Sequence, residues 1–136
     1  MFTFEEEKMS EELTKFHLRN LPFYGVFHHF TGADKGEAHD HPFPFTSLII
    51  YGGYRERIWK LDGSYQDVER RVGDYISFKA SHIHQIIDLP KGEAWTYITP
   101  GKHTGIEWGF YKFEDGKEFH RFHNEPDFKP LKEKQI

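Results

Sequence analysis

Cysteine is absent from all 136 residues, which excludes disulfides, thiolate zinc sites, iron–sulfur clusters and a cysteine nucleophile together. Long apolar runs are missing too. The longest, Ser47 to Tyr51, has the length of a strand and falls far short of a membrane span. The acidic opening Met1–Ser10 lacks a basic stretch followed by an apolar one, so no secretory leader is read and the expected address is the cytoplasm. Charge is near balance, with 18 basic and 22 acidic side chains giving −4. The basic residues are dispersed and no nucleic-acid motif occurs, which argues against a polyanionic partner. Ser47 and Ser77 sit in no nucleophile elbow, and Gly52-Gly53 is not followed by the Lys-Ser/Thr of a phosphate loop.

What the chain does have is rings. Aromatic residues make up 18% of it, with 14 Phe, 7 Tyr and 3 Trp, so an apolar fraction of 37% is bulky enough to build one core. Ten histidines stand out as the compositional hint of function.

Glu5 to Arg19 reads as a short helix, with Phe4, Met9, Leu13 and Phe16 at loosely helical spacing and Asn20-Leu21-Pro22 as its stop. Residues 1–22 are therefore expected to form a helical extension, 23–124 the domain, and 125–136 a surface tail. From Phe23 the texture is that of strands: Tyr24–Phe30, Thr46–Tyr51, Tyr54–Trp59, Tyr65–Arg70, Asp74–Phe78, His84–Asp88, Trp95–Thr99 and Glu107–Phe113, separated by Gly, Pro and Asp. Asp62-Gly63 is a hairpin turn signal, because such a turn needs positive φ. Short strands at this spacing predict an all-β antiparallel sandwich or barrel.

Two elements carry chemistry. In His39-Asp40-His41, side chains at i and i+2 share a face of an extended chain, so both imidazoles can address one metal. Ser81-His82-Ile83-His84 repeats the spacing forty residues later. Solvated histidines are the plain alternative for either pair alone. Together, in one barrel, they predict a first-row transition-metal site that leaves a coordination place open.

The run Gly36-Glu37-Ala38-His39-Asp40-His41 with Gly53 resembles the first cupin motif, and Gly73-Asp74 through His82-Ile83-His84 resembles the second. The resemblance spans about Tyr24 to Phe113 and implies a double-stranded β-helix, the cupin jelly roll. It matches His39, His41 and His84 to metal ligands. His82 has no counterpart, and is a fourth ligand, a substrate contact or a turn residue. The motif's usual glutamate falls at Thr46 or Phe45, neither of them acidic. A centre of three neutral imidazoles without an acidic neighbour follows, similar to the three-histidine sites of thiol dioxygenases within the superfamily. Such a centre keeps the full charge of a dication and favours an anionic ligand. Fe²⁺ is the expected ion, with Zn²⁺, Ni²⁺ or Mn²⁺ as alternatives.

Around this centre, Arg55 is the candidate to clamp a substrate carboxylate, with Arg57 beside it; a structural ion pair with Glu56, Glu69 or Glu107 is the alternative. Tyr97 is the candidate hydroxyl for proton or dioxygen chemistry, against a plain core role. His28 and His29 must point to opposite faces. His103, His120 and His123 are expected at the surface. Both parities of Thr46–Tyr51 are apolar, which suggests a strand buried on two sides in a homodimer. The expected function is a dioxygenase-like oxidoreductase acting on a small anionic molecule. A non-catalytic cupin with an absent or closed structural metal site, and a sugar-nucleotide isomerase, are the other readings.

Overall fold

The computed structural model describes residues 1–114 and 116–131. Among them the chain forms thirteen strands and no α-helix. They are β1 Thr3–Lys8, β2 Leu13–Arg19, β3 Val26–Phe30, β4 Ala38–His39, β5 Phe45–Tyr51, β6 Tyr54–Trp59 and β7 Tyr65–Arg70. After these come β8 Tyr75–Phe78, β9 Ile83–Asp88, β10 Ala94–Pro100, β11 Gly109–Glu114, β12 Lys117–Phe122 and β13 Lys129–Pro130. One sheet has the order β1-β2-β3-β10-β5-β8 and the other β13-β12-β11-β4-β9-β6-β7. Neighbours pair antiparallel throughout. This is the two-sheet jelly roll expected from the strand pattern.

The inner faces follow from parity. Tyr54 and Glu56 of β6, His84 and Ile86 of β9, Ser47 and Ile49 of β5, and Ala94, Thr96 and Ile98 of β10 are all buried. Phe30, Ile49, Tyr54, Ile86 and Ala94 pack into one apolar cluster, with Leu13, Ile76 and Leu89 against it. The Asp62-Gly63 hairpin forms as read, with Gly63 at φ 88° closing the link between β6 and β7.

The N-terminal helix does not form. Residues 3–19 make the β1–β2 hairpin, and β2 pairs with β3 from Leu13↔Phe30 to His17↔Val26. Cross-strand pairing explains why. Glu5 accepts from Arg19 at 2.9 Å and Glu7 meets His17 at 2.8 Å, while Phe16 stacks on Trp95 of β10 at 5.7 Å. Tertiary contacts of this kind override a weak helical spacing. At the other end, Phe119 and His120 pair with Pro130 and Lys129, so part of the expected tail is stitched to β12; residues 132–136 lie outside the described residues. Among the described residues, no helix is long and apolar enough to cross a membrane.

Candidate metal centre

Short β4 delivers His39 to the inner face, where it pairs directly with His84 of β9. His41 follows two residues on, in the loop that leads into β5. The three ring centroids are 4.8–5.2 Å apart. One nitrogen from each ring lies within 4.8 Å of the others, and Nε2 of His41 is 3.2 Å from Nε2 of His84. Two nitrogens that each sit about 2.0–2.1 Å from a shared ion lie roughly 3–3.4 Å apart, so the separation suits a common cation. Burial pushes His39 down to about 3, with the neighbouring His84 adding to the effect, and it lowers His41 in the same direction. Both rings are therefore neutral at physiological pH, the form that binds metal.

Each ring is held differently. Nδ1–H of His84 donates to Glu56 Oε2, which turns Nε2 toward His41. This is the carboxylate–histidine arrangement that fixes a ligand's tautomer and orientation. His41 has no such partner: its Nδ1 is buried and unbonded among the described residues. Packing orients it instead, since the Phe45 ring lies 4.8 Å away and Phe45 in turn packs on Phe78 at 4.9 Å. Phe45 is one of the two positions at which the motif's carboxylate would fall. A phenyl ring fills that space, so the expected lack of an acidic ligand there is physical and not an offset in counting.

The expectation of a centre without any acidic neighbour is corrected by Glu56. Its side chain is fully buried on the inner face of β6. Oε2 accepts from His84 and, at 2.7 Å, from His82 Nε2; Oε1 accepts from Arg70 Nε at 2.7 Å. Burial alone would raise its carboxyl, but the His82 and His84 hydrogen bonds and the Arg70 charge outweigh it and hold the group well below the usual carboxylate range. Glu56 therefore stays ionised and touches the far nitrogen of His84, not the face that the three rings share. Its parity with Tyr54 and Ile58 was the signal in the sequence that marks it as inward.

His82 bonds to Glu56 and packs on Phe78 at 4.7 Å. It joins Glu56 and His84 in a second set of closely spaced ligand atoms, but not the set of His39 and His41. Arg55 faces outward and pairs with Glu69 at 2.8 Å, one of the ion pairs expected; Arg57 grips Asp67, a partner not among those expected, through two bonds of 2.9 and 3.1 Å. Tyr97 shares the outer face of its strand with Trp95, packs 4.9 Å from Phe27, and fills the space that a side chain at Gly25 would need. Neither Arg55 nor Tyr97 is brought to the histidines, because each has the wrong parity on its strand. His28 and His29 do point apart, His28 inward and His29 to Glu93 at 2.7 Å. His120 is buried at 4% exposure, not at the surface as expected; the hairpin β11–β12 folds it against Tyr111 at 4.8 Å.

Trp108 and Phe110 wall the remaining side, their rings 6.3 and 6.4 Å from His39. His123 stacks flat on Trp108 at 5.0 Å and bonds to Glu107 at 2.7 Å.

No family model matches the chain, and no curated protein matches it. Solved structures do. The hydroxypropylphosphonic acid epoxidase of S. wedmorenis aligns with a TM-score of 0.58 at 9% identity, over 72% of this chain and 55% of that one. The oxalate decarboxylase of B. subtilis aligns with a TM-score of 0.58 at 20% identity, over 78% of this chain and 30% of that one. The CENP-C cupin domain of Drosophila melanogaster aligns with a TM-score of 0.55 at 12% identity, over 72% of this chain and 75% of that one. The chain thus spans about half the length of the epoxidase and under a third of the decarboxylase. A two-sheet jelly roll with histidines gathered inside it defines the class: the chain has the cupin fold.

Proposed function

We propose that this protein is a metal-dependent cupin enzyme, a dioxygenase or related oxidoreductase that acts on a small anionic molecule, with Fe²⁺ as the preferred ion. The convergence of three imidazoles, one buried and two half-buried, with no carboxylate on their shared face carries this reading. Among the structural neighbours are an Fe(II) form of HppE and the Mn(II) centres of oxalate decarboxylase, which supports a transition metal in this fold.

His39, His41 and His84 would hold the ion, which supplies Lewis acidity and redox chemistry when bound. The chain's own groups prepare the place. Glu56 fixes the His84 tautomer, and Arg70 balances the Glu56 charge. Phe45, Phe78, Trp108 and Phe110 exclude bulk water, which strengthens every electrostatic contact inside. Histidine ligands bring no negative charge of their own, and Glu56 is already shared by Arg70, His82 and His84, so a dication held there keeps positive charge that an anion can answer. That His82 is engaged by Glu56 supports a fourth place left open for substrate, and so favours the enzyme over a closed structural site.

Anaerobic titration of the metal-free protein with Fe²⁺ or Co²⁺ tests the reading. One ion per chain is expected, with His39→Ala weakening binding by about a hundredfold or more. Unchanged affinity in that variant would refute it. A homodimer and a cytoplasmic address belong to the same proposal; Ile50 and Tyr51 of β5, 42% and 49% exposed, would be covered in the dimer. Sedimentation as a monomer at micromolar concentration would remove that part.

A further inference from the structure

The sheet that carries His39 and His84 continues their row to an arginine. Across β6, β9, β4, β11 and β12 the register runs Ile58↔His84, His84↔His39, His39↔Phe110 and Phe110↔Arg121. Residues in one cross-strand row share a face, so Arg121 lies on the inner side with the histidines. At the usual strand spacing its Cα stands about 10 Å from that of His39, within reach of a long side chain and a small ligand between them. The guanidinium carbon lies over the Phe110 ring, 4.4 Å from its centroid, and 5.4 Å from that of Phe128. Phe110 is also the ring that packs toward His39.

The other strand arginines all have a carboxylate. Arg19 has Glu5, Arg55 has Glu69, Arg57 has Asp67 and Arg70 has Glu56. Arg121 has none among the described residues; one Nη donates to the Glu125 carbonyl at 3.0 Å. A half-buried guanidinium with a carbonyl and two aromatic rings as neighbours keeps donors and a full charge unanswered.

We infer that Arg121 determines specificity at the candidate centre, binding the carboxylate of a small bifunctional substrate whose other donor group reaches the place shared by the three histidines. This rests on the metal reading above and narrows the substrate class to short molecules with a carboxylate about one side-chain length from the reacting end.

Co²⁺-loaded protein titrated with glutarate and with acetate, followed by the visible bands of the ion, tests it. Glutarate can engage both ends and acetate only one. The expected result is that glutarate binds the parent protein more tightly than acetate, that Arg121→Met weakens glutarate by about tenfold or more, and that acetate and Co²⁺ affinity stay unchanged. Arg121→Lys, with charge but no planar fork, falls between. Equal glutarate affinity in the parent and Arg121→Met, or an equal loss for both anions, overturns the assignment while leaving the metal centre standing. A parent protein that takes up no Co²⁺ overturns both, and does so before any anion is added.

Discussion

The two faces of β6 carry the same chemical vocabulary to opposite ends. Outside, Arg55 and Arg57 meet Glu69 and Asp67 of the next strand in water, where such pairs contribute little. Inside, one residue away, the fully buried Glu56 meets Arg70, His82 and His84, which are themselves only slightly exposed. A single step along the strand separates a replaceable ion pair from the group that orients a candidate metal ligand. β3 repeats the contrast. His28 faces inward beside Lys15 and His17, while His29 stacks on Trp95 at 4.1 Å and bonds to Glu93. Parity, more than residue type, decides which polar groups meet the inner histidines.

The sharpest way to break this comparison is at Glu56. Glu56→Ala removes the partner of a buried cation and of two imidazoles, and should cost about 3–5 kcal/mol in chemical denaturation. Glu56→Gln keeps the shape, and should fold while losing roughly 10–100-fold in Co²⁺ affinity by titration. If the Gln variant bound metal as the parent does, the inner face would be no more functional than the outer. Phe45→Glu tests the complementary point by placing the missing carboxylate into the ligand set. Without metal the variant should melt lower, because an aromatic contact is lost and a charge is buried. With saturating Co²⁺ the stabilisation should exceed that of the parent, since the added ligand binds only the loaded state.

His28 gives the comparison a pH dependence. Burial, and after it the charges of Lys15 and His17, lowers this imidazole to about 3 from an ordinary value of 6.5. The unfolded chain takes up a proton first as pH falls, so stability drops through the window from about 6.5 to about 3, and nothing is gained above it. In His28→Phe the unfolding free energy should fall less steeply over that window than in the parent; an unchanged slope would overturn the assignment. The smallest effect belongs to Arg55→Ala. This exposed variant should leave both the thermal midpoint and Co²⁺ affinity unchanged, and a clear loss of metal binding would return Arg55 to the site.

Much of this organisation is written in spacing. The two His-x-His elements are legible as spacing, although only His39 and His84 lie in strands; His41 reaches the centre from the loop after β4, and His82, just before β9, turns to Glu56 instead. The strands β6 and β7 are equally plain, since a two-sided alternation and an Asp-Gly turn leave no alternative. Three things escape. The β1–β2 hairpin hides because β2 is half-buried on both faces, so Leu13, Phe16 and Leu18 show no clean alternation, and the stabilising partners Glu5 and Glu7 look like a solvated helix surface. Glu56 is easily passed over as a site residue: its flanks Arg55 and Arg57 suggest a surface ion network, and only its parity with Tyr54 and Ile58 points it inward. Arg121 depends on the row that joins His39 to Phe110 and Phe110 to β12, a long-range register that no local pattern encodes.

The hairpin that replaced the expected helix also determines how one flank of the molecule meets others. β1 ends its sheet, and all six of its residues are exposed, so its outer rim offers unsatisfied amide groups on which a foreign strand could grow. Glu5, Glu6, Glu7 and Lys8 line that rim with charge. A second molecule adding itself edge to edge would bring two such acidic margins together, at a cost in repulsion and lost hydration. At neutral pH the rim therefore works as a fence against fibrous growth, and it steers any self-association toward the broad flank of the sheet.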